Sequence, residues 1–400
     1  MKNQGYLKLG LVIGLLLVLT GARSAPAASV TGCGTWRVIQ SPNPTPTVIL
    51  SGVAAISANN VWAVGRFTSD SNPSPRALAL QWDGTHWQVG ALPNPGTTED
   101  AFLAVTRVSA SQELWAVGYE NSSPIGPPPV PQTLIEHWDG TSWSVTPSPN
   151  VGQDVNELYG VTATSPTDAW AVGEHFDPNV STAPQTLTEH WDGTSWSVVP
   201  SPSPGTSDNA LTAVTAVAAN DIWAVGHMQP GSSGIQNASL VEHWDGSQWL
   251  VVSSPNVGSR DNLLSGVAAD SASSAWAVGT ADGDVGPTTT FILHWNGSQW
   301  AVTPSPSPGS SINALAAPVA LSATNAWAVG YFQQANRSQR TLTEHWNGKN
   351  WKVVNSPNIG TDNNDLNALA FIAGTNQVWT VGEHFSSDTG TSASLTLFRC

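Results

Sequence analysis

The chain has 400 residues and a formal net charge of −15, from 13 Lys and Arg against 28 Asp and Glu. That acidity argues against binding nucleic acid or an anionic membrane through general electrostatics. Hydrophobic residues reach 40%, enough for a sizeable core, yet 36 Gly and 29 Pro divide it into short strands rather than long helices.

In chain order, the first element is a targeting signal. Lys2 and Lys8 precede an apolar run over 9–19, and Ala25-Pro26-Ala27 offers a small–x–small cleavage pattern. Residues 1–27 therefore read as a signal peptide and 28–400 as one secreted, extracellular domain. Its charge would be −18, because Lys2, Lys8 and Arg23 leave with the signal. The run is too short for a comfortable membrane span, so no membrane insertion is expected. Val30-Thr31-Gly32-Cys33 loosely matches a lipoprotein box that would acylate Cys33. The apolar run, however, ends more than ten residues upstream, with Arg23 between, which favours plain secretion.

Repeats dominate the rest of the chain. W-A-V-G, once W-T-V-G, begins at Trp62, Trp115, Trp170, Trp223, Trp276, Trp327 and Trp379, at spacings of 51 to 55 residues. W-[D/N]-G-x-x-W begins at Trp82, Trp138, Trp191, Trp244, Trp295 and Trp346, each copy leading into a stretch like Val198-Val199-Pro200-Ser201-Pro202. With Trp36, these motifs absorb all 20 tryptophans of the chain, so Trp marks the repeat and not a unique site.

Each repeat reads as four short strands, typified by a over 211–217, b over 222–226, c over 240–244 and d over 248–252. In strand c, Leu134, Glu136 and Trp138 share one face while Ile135 and His137 share the other. Asp-Gly or Asn-Gly between c and d signals a tight hairpin. Asn60, Asp168, Asp221 and Asn325, two residues before the motif Trp, suit the a–b turn. Strand a carries a large apolar anchor (Leu50, Phe102, Leu158, Leu211, Leu264, Leu315, Leu366), and two places on only Gly or Ala is found. Such a restriction implies crowding, as where innermost strands converge on an axis. Pro318 is tolerable there because an innermost strand is a sheet edge.

Four-stranded repeats of this length indicate an all-β fold, a seven-bladed β-propeller of antiparallel blades. An open array would need capping repeats at both ends. Instead, 34–39 reads as a strand d without its a, b and c, and 395–400 as a strand c without its d. The two half-hairpins make one seventh blade and close the ring. Cys33 and Cys400, the only cysteines, lie where the missing c–d turn should be, so a disulfide is expected to replace it. Closing so long a loop is worth on the order of 5 to 6 kcal/mol by chain entropy, as an upper figure.

V-W-A-V-G, a loop, strand c and D-G-x-x-W together resemble the bacterial-neuraminidase-repeat (BNR) propellers, especially the photosystem II assembly-factor type. They are also similar to kelch repeats, which end on an Asp turn followed by Trp. The resemblance spans essentially 33–400 at the level of repeat pattern and implies the propeller fold. The turn here has one Gly rather than two, and no copy matches S-x-D-x-G-x-x-W.

The b–c and d–a connections are long and share one face, where binding is expected near the central channel. A candidate ring precedes strand a: Asp100, Asn156, Asn209, Asn262, Asn313 and Asn364, with Val48 breaking the series. It could hold a hard cation such as Ca2+ or a sugar, or each member could cap its own turn; capping is favoured, so no cofactor is expected. Glu136-His137, Glu189-His190, Glu242-His243 and Glu344-His345 place Glu and His on opposite strand faces, so no pair shares a metal. The expectation is Glu tying neighbouring strands and Trp filling the inter-blade core.

Glu174-His175-Phe176, His227 and Glu383-His384-Phe385 fall outside the repeat, and His175 and His227 lie on neighbouring blades. They make two histidine ligands without a third. Too few Arg and Tyr remain for sialidase chemistry, and no nucleophile elbow or phosphate loop occurs. The expected function is a monomeric, non-enzymatic extracellular scaffold for a protein or glycan ligand. The alternative is a lectin-like or glycosidase-type propeller.

Overall fold

The computed structural model describes residues 34–69, 72–121, 130–152, 154–231, 235–284 and 286–400. Among them are seven sheets of four antiparallel strands. Six follow the chain order a-b-c-d, as in blade 3: Asn156–Ser165, Asp168–His175, Gln185–Trp191 and Trp196–Val198. In the seventh, Arg37–Val38 is the outer strand beside Thr391–Arg399, followed by Val378–Ser386 and Asn364–Phe371. Arg37 pairs with Phe398 and Val38 with Leu397, so the two ends complete one blade. The lipoprotein box, the cleavage site and Cys33 lie outside the described residues.

Seven apolar clusters, each built from two adjacent blades, fill the ring. One joins Leu50 and Leu80 of blade 1 to Trp379 and Phe398 of blade 7, which closes the circle. The strand-b Trp of one blade meets the hairpin Trp residues of the next. Trp170 lies 4.6 Å from Trp244 and 5.3 Å from Trp249, the latter edge-on. His190 packs at a tilt on Trp170, centroids 4.5 Å apart, and donates from Nε2 to Asp168 Oδ1 at 2.7 Å, so the repeated His bridges strand c to the a–b turn.

The proline-rich stretch after strand d folds back on its own blade. Asn150 Oδ1 accepts from the Thr133 amide at 2.9 Å, and Ser148 Oγ lies 2.7 Å from Thr133 Oγ1. Strands a and b run further toward the long-loop face than the sequence pattern predicts: strand a of blade 4 is Asn209–Ala218 and strand b Asp221–Met228. The pairing Asn209↔Met228 continues the ladder through residues outside the repeated apolar pattern.

One irregularity recurs in all seven blades. The register slips between the strand-a anchor and the Gly or Ala two places on, as between Leu158 and Gly160. The residue between them is a β-bulge, turned toward the axis. The expected crowding is real: a Cβ on Gly160 would sit 3.0 Å from the Ala213 Cα of the next blade, and one on Gly266 2.6 Å from Pro318 Cδ.

At the seam, the Gly34 amide donates to the Cys400 carbonyl at 2.9 Å, so the residue next to Cys33 in the chain is held against the last residue. The expected outcome is a native protein with no reactive thiol: its intact mass under non-reducing conditions is two hydrogens below that of the dithiol, and reduction lowers Tm. Two alkylatable thiols in the native protein would refute the pairing.

Candidate functional site

The bulges determine which side chains the channel shows to solvent. Ser51, Leu103, Tyr159, Thr212, Ser265, Ala316 and Asn367, one per blade, are the bulged residues, and all seven line the channel. In a chain where anchor and crowded position hardly change, this intervening position varies in every blade but two. A second variable ring follows the motif glycine at the end of strand b: Arg66, Tyr119, Glu174, His227, Thr280, Tyr331 and Glu383. The bulge ring does not stand out in the sequence, because it is defined by variation inside a repeat; of the second ring, Glu174, His227 and Glu383 are visible there as departures from the repeat.

On the long-loop side the channel widens to a cavity of about 640 Å3, whereas the two segments further along enclose about 240 and 340 Å3. One wall of the mouth, from blades 3 and 4, is polar: Tyr159, Glu174, Asp208, Thr212 and His227. Opposite stand Leu103, Ala316, Ser265 and Asn367. Thr212 donates across to the Leu264 carbonyl at 2.7 Å, and Asn367 to that of Leu50 at 2.9 Å, so bulge side chains also tie blade to blade.

Glu157 and Glu174 are direct cross-strand partners, and Tyr159 Oη lies 2.8 Å from Glu157 Oε2 and 2.9 Å from Glu174 Oε1. A phenol has one proton, so a trio with both contacts made needs a second, held by a carboxyl group. Burial pushes Glu174 up, and Asp208 and Glu157 add to it while the Tyr159 bond opposes. The Tyr159 phenol is raised far above its usual range, by burial and then by both glutamates. His227 Nε2 sits 3.2 Å from Asp208 Oδ2.

Blade 7 repeats the motif in part. Asp365 faces Glu383 across the strands, and burial, then Glu383, lifts Asp365 to about 7. Like charges placed directly opposite are destabilising, and strands a and b do this three times among the described residues, the third pair being Asp100 and Glu120.

The ring expected before strand a is spent on its own turns and on the preceding blade, as where Asn209 Nδ2 donates to the Pro184 carbonyl at 3.0 Å. Asn156 Oδ1 accepts from Val151 N at 2.8 Å and its Nδ2 donates to Asp154 O at 2.7 Å. Asn209, Asn262, Asn313 and Asn364 likewise accept from Gly205, Val257, Gly309 and Ile359. Asp100 accepts from Gly96 at 2.6 Å and pairs with Arg76 at 3.1 Å. All six are fully buried, under the mouth and not in it.

Of the two histidines, His227 lines the cavity. His175 does not; burial lowers its pKa, and its Nδ1 has no partner among the described residues. No group of three or more His, Cys, Asp or Glu able to hold a metal occurs among the described residues.

The repeated glutamates differ from expectation. Glu136, Glu189, Glu242 and Glu344 do not tie strands: each is fully buried, and neither oxygen has a hydrogen-bond partner among the described residues. Strand alternation places them on the Trp-bearing inter-blade face, where indole Nε1 groups such as those of Trp170 and Trp249 are likewise buried without a partner among the described residues. Only Glu136 feels a nearby amide, that of Asn94.

No family model and no curated protein matches the chain. Its likeness is to solved propellers. A structure of YCF48 bound to a D1 peptide shares 14% identity over 91% of this chain and 96% of that one, with a TM-score of 0.51. A polysaccharide lyase of family PL25, an ulvan lyase bound to -[GlcA(1-4)Rha3S]-, shares 10% over 91% and 94%, at 0.50. The Aleuria aurantia lectin with α-methyl-L-fucoside shares 16% over 78% and 96%, at 0.47. At these identities the likeness is one of fold.

Proposed function

We propose that the protein is a non-enzymatic binding scaffold, acting outside the cell, that takes a polypeptide segment bearing a basic side chain into the long-loop mouth of its channel. The observation that carries this reading is the mouth itself. It is the most voluminous of the three channel cavities described above, and its polar wall is made of residues that break the repeat: Tyr159, Glu174, Asp208 and His227. A repeated feature serves the architecture, whereas a departure from it is free to serve a ligand. Cavity size suits one or two side chains entering from an extended chain.

Carboxyl groups outnumber cations on that wall, which suits a guanidinium or ammonium and disfavours an acidic glycan such as the uronate polymer of the lyase structure. Sugar stacking on Trp finds little support. The strand-b and strand-d Trp rings are buried, and the half-exposed hairpin rings are tethered, as Trp191 Nε1 is to the Pro166 carbonyl at 3.0 Å. The sequence likeness to BNR and kelch repeats fits a binding propeller equally well.

The test is fluorescence titration with an Arg- and Lys-containing hexapeptide and its Glu counterpart. We expect the basic peptide to bind, and Leu103→Trp, which fills the mouth, to weaken it by tenfold or more, about 1.4 kcal/mol. Glu174→Gln should weaken it less. Because burial raises the Glu174 pKa, its charge is lost in acid, so affinity should climb as pH rises. Equal binding by wild type and Leu103→Trp, or turnover of a glycan by the pure protein, would retire the reading.

A further inference from the structure

Four of the seven inter-blade cores contain a carboxylic acid, and the other three show what the position accepts instead. Glu136, Glu189, Glu242 and Glu344 pair with Ala116, Ala171, Ala224 and Ala328 of strand b. At the same register stand Leu80, Leu293 and Leu397, opposite Ala63, Ala277 and Thr380. The three leucines are fully buried in their own inter-blade clusters. The fold therefore has no structural need of a carboxyl group there.

An ionised carboxylate without a partner is not sustained in such a place, but a neutral acid is. On its own sheet, Glu242 pairs with Ala224 and with Val251 of strand d, neither of which titrates. The inter-blade cluster on this side supplies Trp170, Leu240 and Trp249. The surroundings of Glu189 and Glu344 are equivalent. Burial alone lifts these three to about 8. Glu136 is also raised to about 8 by burial, with Asp100 reinforcing and the Asn94 amide opposing. His137, His190, His243 and His345 occupy the opposite face of strand c, on the Trp of their own blade.

We propose that the ring is proton-locked: it folds around four neutral carboxylic acids, one in each of four blade interfaces, and holds its blades together most tightly in an acidic medium. The direction is set by linkage. A group bound to its proton more firmly when folded contributes fully below its unfolded pKa of 4.5, and the contribution is lost as pH rises through about 8. At the acid end, the exposed turn residues Asp139 and Asp192 are held down to about 2 by hydrogen bonds from Thr141 and Thr194. Their contribution fades only below the ordinary carboxylate range. Burial lowers His175, His294, His345 and His384, which works the other way as pH falls through the ordinary imidazole range; the four glutamates outweigh them, so stability should rise from pH 8 toward pH 5. With charged residues at 10% of the chain, few ion pairs exist for acid to break.

The experiment is thermal unfolding from pH 3.5 to 9 of the wild type, of Glu242→Leu and of the fourfold Glu136→Leu, Glu189→Leu, Glu242→Leu, Glu344→Leu variant. Wild-type Tm is expected to fall by at least about 10 °C between pH 5 and 8. The single variant should remove up to about a quarter of that fall and the fourfold variant most of it, the remainder belonging to the other buried acids, Asp365 first among them. A wild type equally stable at both pH values, or a fourfold variant with an undiminished fall, overturns the proposal. Should the fourfold variant not fold, infrared spectra decide. At pH 7 the folded wild type must show the carbonyl band of protonated carboxylic acids, and Glu242→Leu must show less of it; a wild type without the band refutes the lock.

Discussion

Gly226→Ala is expected to cost about 3 to 5 kcal/mol and to disorder the inner hairpin of blade 4. A Cβ at this position would lie 2.0 Å from the Ala210 carbonyl oxygen and 2.9 Å from Leu211 Cα. Both are backbone atoms of the neighbouring strand, so no side-chain rotation relieves the clash. The closeness arises from the bulge after Leu211, which draws strand a against the motif glycine. The same approach, 1.9 to 2.1 Å, recurs at Gly65, Gly118, Gly173, Gly279, Gly330 and Gly382, which explains why the fourth letter of W-A-V-G never varies. Gly390→Ala is the control: φ is +67°, but nothing lies within 4 Å, and about 1 kcal/mol is expected. Urea unfolding of the two variants separates strain at the bulge from simple left-handed backbone cost. A loss below about 1 kcal/mol for Gly226→Ala would mean that the close approach does not exist.

The second large effect belongs to the seam. Trp36→Ala should cost about 3 to 5 kcal/mol, like other buried Trp truncations, and should also release the outer strand of blade 7. Trp36 is 5% exposed and meets Trp327 edge-on at 5.5 Å. Its strand contributes only two ladder pairs, supported by Ile39 N to Thr396 O at 2.9 Å and by Asn43 Oδ1, which accepts from the Ser394 amide at 2.7 Å. Without the Trp anchor the strand keeps its end bonds, Gly34 N to the Cys400 carbonyl and Ser41 Oγ to Ser394 Oγ, but loses the buried side chain that packs it into the inter-blade core. Trp249→Ala removes the equivalent ring from blade 4, where the d strand is the covalent continuation of its own hairpin. Both variants should lose similar global stability, but only Trp36→Ala should accelerate amide exchange at Leu397 and Phe398. Equal protection there in the two variants would show that the seam is held by something other than Trp36.

Much of this architecture is legible in the sequence because repetition turns weak local signals into strong ones. A single G-T-W-R-V-I says little, but as the missing strand d of a seventh repeat it specifies a closed ring. The Gly or Ala after each anchor signals convergence on an axis, and the clash of a Gly266 Cβ with Pro318 is that convergence. The mouth is legible only in part: its face, Glu174 and His227 stand out as long loops and departures from the repeat, but the bulge residues do not, for the converse reason. Tyr159 and Thr212 sit at a position with no preferred residue type, and only the bulge, a property of backbone pairing, turns them inward. Glu136 and its equivalents are half legible: alternation gives their face correctly, but a Glu beside His and Trp reads as a hydrogen-bonded link. Solvent exclusion arises from the neighbouring blade, which a single strand does not contain.

The seam also imposes an order of events on biosynthesis. Ile39 and Thr396, which bond through backbone and side chain, are 357 positions apart. At translation rates of 5 to 20 residues per second, the first strand emerges about 20 to 70 s before its partner exists. Blades 1 to 6 are hairpins of local contacts and can form as they emerge. Blade 7 cannot, so closure is the last and most entropically demanding step. During that interval Trp36 has no pocket and the inner strands of blade 1 have no neighbour on one side. A nascent chain at this stage is an open crescent with one sticky flank, and the stage is where chaperone capture or chain-to-chain swapping of the first strand would act.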